Sequence, residues 1–373
     1  MLRKVPVRAK EDPLNYLLVH YNFQVNHKIF STINCFSYPM LLIISTISSI
    51  NSIANDGLGY FVKHNAFGIS GLFFIVLNIP LNYFIVGNIH KHVKLELCWD
   101  IETASLSTRH KIYKEIRDEY KMYLAVTILN LFGAFVNFLL ENFTNVHIVS
   151  DIIFVEKILT GYQTTKIIIK FILSLTHFCA ILTTIPQFLA MKYATGSLKL
   201  QLHLLIDYFN QIEIYHYEDP EVKAHLEICS THHIFLTGYY NEILDLAAYS
   251  IVLLPFGAVC LALGCALHTY YNYSVATCLG ISPLLILVVL VIIDLCKSGQ
   301  DIQNAFEDFY WEMTKVAWWN WSERNKKSLL LMMTRCQKSE VFGAFTVEIN
   351  KSLIIRITKT VYQAFLVIQQ TLK

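Results

Sequence analysis

Apolar residues run in blocks along this chain. At about 33–53, 66–90, 121–141, 167–191, 246–270, 274–297 and 347–372 they stay dense for roughly 20 residues, the length an α-helix needs to cross a bilayer. The middle five are strong: "AVTILNLFGAFVNFLL" and "SPLLILVVLVIIDLC" leave almost no polar surface. The first, "INCFSYPMLLIISTISSINSIA", is diluted by Ser and Asn. The seventh, "VEINKSLIIRITKTVYQAFLVIQQTLK", carries Glu348, Lys351, Arg356 and Lys359 in its first half. The pattern predicts an all-α, polytopic membrane protein with seven transmembrane helices in a single domain covering 1–373. Residues 1–191 hold spans one to four, 192–346 hold further helices with spans five and six, and 347–373 form the seventh span.

The segments between the blocks are polar but keep helical periodicity. Segment 91–121 mixes both charge signs, as a solvated extension of spans two and three would. "KLQLHLLIDYFNQI" is apolar at Leu198, Leu202, Leu205, Ile206 and Phe209, an amphipathic spacing. From "KAHLEICSTHHIF" the helical pattern continues past Gly238 into span five, and span six flows into "IQNAFEDFYWEMTKVAWW". A packed helical block projecting from one face of the membrane is expected.

Composition agrees: 54% of residues are hydrophobic and 16% charged, against about 25% charged in a typical soluble domain. Charge placement then orients the chain. The N-terminal segment and segments 91–121, 192–245 and 297–346 together hold 22 Lys and Arg, whereas the opposite connections hold 4. Basic connections face the cytoplasm. The N-terminus and the helical block are therefore expected inside and the C-terminus outside. The N-terminal stretch lacks an apolar signal-peptide core, so the first span is expected to insert itself. Asn142 and Asn272 begin N-glycosylation tripeptides in the predicted outer connections. The nine cysteines fall in spans or inner segments, where they are expected as reduced thiols.

The chemistry of most enzymes is missing from the pattern: no Gly-rich phosphate loop, no Gly-x-Ser-x-Gly and no Cys-x-x-Cys, so the chain reads as a non-enzyme without a cofactor. No basic patch is interleaved with aromatics, which argues against nucleic acid. His225, Cys229, His232 and His233 have ligand-like spacing on a helix. Ordinary packing beside an apolar face is the preferred reading, and no metal is assigned. The orientation is opposite to that of G-protein-coupled receptors, and no paired breaks suggest a transporter. A metabotropic seven-helix receptor or a transporter remains the distant alternative.

The seventh block has two faces. At about 100° per residue, Ser352, Arg356, Lys359, Thr360, Gln363, Val367 and Gln370 fall on one side, with Leu353, Ile354, Ile357, Val361, Ala364, Phe365 and Ile368 opposite. Ionisable residues inside a span nearly always face protein interior or a water-filled cavity. The charges also stop at Lys359, so a charged vestibule would narrow to a neutral, partly apolar constriction, a known gate design. The other reading is that the charged turns sit below the bilayer, with Glu348 pairing Lys351. One helix cannot enclose a pore, so a pore demands an oligomer.

These features resemble the insect odorant receptor family. "IQNAFEDFYWEMTKVAWWNWSERNKKSLLLMMTRCQKSEVFGAFTVEINKSLIIRITKTVYQAFLVI" is similar to the family's run of aromatics, basic residues, "LLLMM", a small-residue "GAF" and a final "KTxY". "CSTHHIFLTGYYNEILDL" resembles its His-centred stretch. The resemblance implies a ligand-gated, non-selective channel for monovalent and divalent cations in the plasma membrane of an olfactory neuron dendrite. Four subunits would surround a central pore and touch chiefly through the cytoplasmic block. The family's shared co-receptor has a long insertion between spans four and five that this chain lacks, which implies an odorant-specific subunit working as a heterotetramer with that co-receptor. A gustatory-type homomeric channel is the alternative; those receptors end in Thr-Tyr, five residues, then Gln-Phe, a pattern that Val361 and Gln370 interrupt here.

The resemblance also implies which residues act. The pore would be lined by Arg356, Lys359, Thr360, Gln363, Val367, Gln370 and Thr371, with Val367 and Gln370 at the family's narrow point and Thr371 where a Leu is usual. A small volatile ligand would bind among spans two, three, four and six. Span two would offer Ser70, Phe73, Phe74 and Leu77, and span three Asn130, Gly133, Ala134, Asn137 and Phe138. Span four would add Ser174, His177, Phe178 and Ile181, and span six Thr277, Cys278 and Ile281. Aromatics with scattered polar groups suit a small, uncharged, mostly apolar molecule. Asn130, Asn137 and His177 stand out, because buried polar groups need partners.

Overall fold

A computed structural model of the chain describes residues 14, 43–63, 98–143, 158, 161–182, 185–214, 219–337, 341–344 and 347–371. The second expected span, 66–90, and the first part of the first lie outside the described residues. The helices are α1 (43–63), α2 (Leu106–Phe143), α3 (Gln163–Leu182), α4 (Ile185–Asn210), α5 (Asp219–Tyr271), α6 (Val275–Lys315), α7 (Glu323–Cys336) and α8 (Lys351–Thr371). A hairpin of two short strands, β1 (Gly343–Ala344) and β2 (Val347–Glu348), precedes α8.

Three helices are long and apolar enough to cross a membrane: Leu106–Phe143, Pro220–Tyr271 and Val275–Lys315. Each exceeds what a bilayer requires. The 53 residues of α5 reach about 80 Å at a rise of ~1.5 Å per residue, against a hydrocarbon core of about 30 Å. The surplus carries the helices beyond the membrane at the end holding the basic segments, hereafter the basic end. Helix α5 passes Gly238 and Pro255 without interruption, as the periodicity predicts. Helix α6 begins at Ser274, whose Oγ accepts a hydrogen bond from the Thr277 backbone N–H at 3.0 Å and so satisfies one of the first-turn donors.

Helix α6 is the axis of the packing: α2, α4, α5, α7 and α8 all lie against it. The largest core cluster fills the space between α4, α5 and α6 with Tyr193, Leu198, Leu205, Phe209, Tyr240, Ile302 and Phe309. Away from the basic end, large apolar side chains point outward on α2 (Leu131, Phe132, Phe135), α3 (Ile167, Ile168, Phe171) and α6 (Leu279, Ile286, Ile293). Such a continuous apolar exterior suits lipid rather than water.

Two expectations change. The amphipathic helix around 198–209 is part of one helix from Ile185 to Asn210, with Pro186 in its first turn, where a missing N–H costs nothing. It is buried on its polar side too, at Lys192, Thr195, Gln201 and His203. Charges on α2 and α6 meet those polar groups, so its pattern looks amphipathic while its environment is not. The seventh helix starts at Lys351, not at Val347. Val347 and Glu348 pair with Ala344 and Gly343 in the hairpin, so Glu348 lies off the helical stripe. Asn350 Nδ2 donates to the Glu348 carboxylate at 3.2 Å, and the Asn350 side-chain oxygen accepts from the Ser352 N–H at 3.0 Å. A side-chain turn of this kind starts a helix and ends a strand.

Candidate functional site: two polar clusters and an exposed helical stripe

At the end of the bundle away from the basic segments, α2 turns one narrow face inward. Asn130, Ala134, Asn137 and Glu141 recur at helical spacing and are all buried, with Gly133 beside them. Asn137 Nδ2 donates to the carbonyl of Gly133 at 2.8 Å and to that of Gly280 on α6 at 3.1 Å, tying the helices together. Gly133 lets α6 approach, since a Cβ there would come within 3.2 Å of Pro283. The facing side of α3 presents Leu173 and Ser174, both fully buried, and His177, whose Nδ1 lies 3.7 Å from Glu141 Oε2. Phe138 meets Phe171 and Phe178 edge-to-face, at ring-centre distances of 5.7 and 6.1 Å. Thr277 and Ile281 of α6 are buried and Cys278 is half-buried.

The structure thus gathers the expected residues of α2, α3 and α6 into one region. Ser70, Phe73, Phe74 and Leu77 lie outside the described residues, as does the side chain of Ile181. Glu141 was absent from the sequence-based set. Its position one turn beyond Asn137 on the Asn130–Asn137 stripe was a usable signal, obscured because it sits at the edge of the apolar block.

At the basic end, lysines meet carboxylates from two helices. Lys192 lies 3.0 Å from Asp294, donates to Ser298 Oγ at 3.0 Å and sits 3.9 Å from Glu119. Lys199, one heptad on, meets Glu115 and Asp301 at 3.0 Å each, and His203 lies 3.4 Å from Glu115. Burial alone would raise the Glu115 carboxyl, but the bond to His203 and the charge of Lys199 outweigh it and draw it down to about 2. Burial would lower Lys199, yet its two carboxylates hold it above its ordinary value. Asp207 accepts from the Ser105 N–H at 2.8 Å and from the Thr108 hydroxyl at 2.6 Å. Helices α2, α4 and α6 are therefore pinned together.

The His-rich stretch of α5 is absorbed into packing. His225 stacks on Tyr208 at 4.1 Å and shares a hydrogen bond with its carbonyl at 2.7 Å. His232 stacks on Trp99 at 3.9 Å, while His233 packs against Phe309 and lies 3.2 Å from Cys336 Sγ. Burial, then the nearby Arg335, pushes His233 down to about 4. Among the described residues no group of His, Cys, Asp and Glu could hold a metal.

Helix α8 rests on α5 and α6 through Leu353, Ile354, Ile357, Val361 and Phe365. All seven residues expected to line a pore, Arg356, Lys359, Thr360, Gln363, Val367, Gln370 and Thr371, are exposed along its other side. Its far end is held by Gln369 Nε2 donating to the Tyr270 hydroxyl at 2.9 Å and by Phe365 packed edge-on against Tyr270. Its root is held by the hairpin, where the Ile349 N–H donates to the Phe342 carbonyl at 2.8 Å. A Cβ at Gly299 of α6 would run into the Ile349 carbonyl, and one at Gly343 would come within 2.6 Å of the Val347 carbonyl. Hence glycine is required at both.

This architecture superposes on the solved olfactory receptor OR5 from Machilis hrabei with a TM-score of 0.66 over 93% of this chain and 91% of that one, at 12% identity. The same receptor in complex with eugenol gives 0.63 over 98% of both chains, again at 12% identity. The chain has the insect olfactory receptor fold. No protein-family model and no curated protein matches the sequence. In this chain the buried cluster and the exposed stripe of α8 occupy separate places, and α6 touches both. The candidate glycosylation sites hold their amides in place: Asn142 Nδ2 donates to the Phe138 carbonyl and Asn272 Nδ2 to the Lys63 carbonyl, both at 2.8 Å.

Proposed function

We propose that this protein is the odorant-binding subunit of an odorant-gated, non-selective cation channel, assembled as a heterotetramer with the shared odorant co-receptor in the plasma membrane. The observation that carries the reading is α8. A helix that buries one apolar face against its own chain and leaves a stripe of Arg356, Lys359, Thr360, Gln363 and Gln370 exposed requires water beside it. In a bilayer that water is a pore shared between subunits. The eugenol complex of the similar receptor supports a small organic ligand for the buried cluster.

Helix α6 supplies the link between the two. It contributes Thr277 and Ile281 to the ligand cluster and, about 27 Å further along its axis, meets the root of α8 where Gly299 touches Ile349. A ligand that shifts α6 moves the base of the helix assigned to the gate. The basic-end ion pairs hold the helices that frame this motion, and the basic end is read as the cytoplasmic anchor. Asn142 and Asn272 remain candidates for glycans on the outer face.

Odorant-evoked cation current in cells expressing the chain alone, the co-receptor alone and both is the test. Current is expected for the pair and not for this chain alone. Current from this chain without the co-receptor would overturn the heteromer in favour of a homomeric channel. Gln370→Ala is expected to change ion permeation more than the half-maximal odorant concentration, and the reverse result would remove Gln370 from the pore.

A further inference from the structure

Buried polar atoms in folded proteins nearly always have hydrogen-bond partners, and in a lipid-embedded bundle water is scarce to supply them. Two buried side-chain oxygens, one on α2 and one on α3, break that rule. Glu141 is 1% exposed and Ser174 is 0% exposed, and neither Glu141 Oε2 nor Ser174 Oγ has a hydrogen-bond partner among the described residues. His177 Nδ1 stands 3.7 Å from Glu141 Oε2, beyond hydrogen-bond reach. Ser174 is one turn from His177 on the same helix, so the two oxygens belong to one site. Each of the two oxygens can accept a hydrogen bond. Beside them the rings of Phe138 and Phe178 form an apolar, aromatic wall.

On the footing of the odorant-binding reading above, we infer that the ligand of this protein carries a hydrogen-bond donor, as an alcohol or amine, on a small apolar or aromatic body. The ligand's donor bonds the Glu141 side chain, its heteroatom accepts from the Ser174 hydroxyl, and the body packs on the phenylalanines. Ethers and other molecules that only accept hydrogen bonds can take one from the Ser174 hydroxyl but leave the Glu141 oxygen unmet and bring another acceptor beside it. A site built to meet a hydroxyl or amine discriminates strongly against the analogue that lacks it.

The test uses the full-length chain with the co-receptor and matched compounds: 2-phenylethanol, 2-phenylethylamine and the methyl ether of 2-phenylethanol. Current is recorded in cells, and binding is read as thermal stabilisation of the purified protein. Alcohol or amine is expected to act at concentrations about 10-fold lower than the ether, the size expected for one buried hydrogen bond. Glu141→Leu should close that gap, Glu141→Gln should weaken the amine more than the alcohol, and Ser174→Ala should give a smaller loss. Surface labelling and unliganded melting temperature identify any variant that fails to fold, and Glu141→Gln keeps the shape of the native side chain. Ether as potent as alcohol and amine, or a gap unchanged in a folded Glu141 variant, overturns the donor requirement even if the channel works. Donor-selective binding without current keeps the ligand class and overturns the channel reading instead.

Discussion

Lys192 and Lys199 at the basic end each contact a carboxylate of α2 and one of α6, at 3.0 to 3.9 Å. At the opposite end Glu141 and Ser174 are buried at least as deeply, and their oxygens have no hydrogen-bond partner among the described residues. Both regions join the same helices, α2 and α6, and both remove polar groups from solvent. They differ in how closely an opposite charge approaches: 3.0 Å between Lys192 and Asp294 and between Lys199 and both Glu115 and Asp301, against 3.7 Å between His177 and Glu141. Where the approach is close, the helices are locked in one arrangement. Where it is not, the deficit is a demand that a ligand can meet, and meeting it can shift an equilibrium because only one arrangement gains the contact.

The contrast can be broken at its fixed end first. Lys192→Met leaves Asp294 buried without its cation, and removing one partner of a buried pair costs about 3–5 kcal/mol. The expected outcome is loss of folded protein at the cell surface, measured by surface labelling. A variant with wild-type surface level would mean the pair holds little.

Acid gives the next effect. His233 is held neutral by burial, with a folded value of about 4 against about 6.5 in an unfolded chain. Between those values the unfolded state binds a proton that the folded state refuses. Stability is therefore intact above pH ~6.5 and falls as pH drops toward 4, by about 3 kcal/mol in all. Melting temperatures of the purified protein from pH 7 to 4 should show the fall, and His233→Phe should flatten it. The Glu115–Lys199 pair adds nothing in this window: Glu115 loses its contribution only as pH falls below about 4 toward 2, and Lys199 only in strong base.

Gly299→Ala should displace the hairpin at the root of α8 by overpacking, at about 1–3 kcal/mol. It should alter channel opening while leaving ligand-induced thermal stabilisation unchanged. If binding shifts and opening does not, α6 does not carry the link assigned to it. The smallest effect is expected at the unmet end. Ser174→Ala removes a buried hydroxyl with no hydrogen-bond partner, so the unliganded melting temperature should stay within about 2 °C or rise. A clear drop would reveal a structural bond there and erase the contrast between the two ends.

Much of this was legible in the chain. The apolar blocks at 121–141, 246–270 and 274–297 announced the cores of α2, α5 and α6, because hydrocarbon imposes both length and composition on a spanning helix. The unbroken run past Gly238 and the two faces of α8 followed from periodicity alone. The hairpin before α8 was not legible: Val347 and Glu348 continue the apolar spacing, and only Gly343 and the Asn350 side chain stop the helix from extending backward. Glu141 was missed for a related reason, since a carboxylate at the edge of an apolar block ordinarily marks where water begins.

The sequence by itself determined that this protein is helical, where its long helices run and which side of α8 is polar. These properties depend on near neighbours along the chain and on the solvent around it. The tertiary structure decided which buried polar groups are matched. Lys192 finds Asp294 across 102 positions of sequence, while Glu141 Oε2 and Ser174 Oγ, buried more deeply, have no hydrogen-bond partner among the described residues. Whether a buried polar group anchors the bundle or waits for a ligand depends on what another helix places opposite it, and no local pattern encodes that.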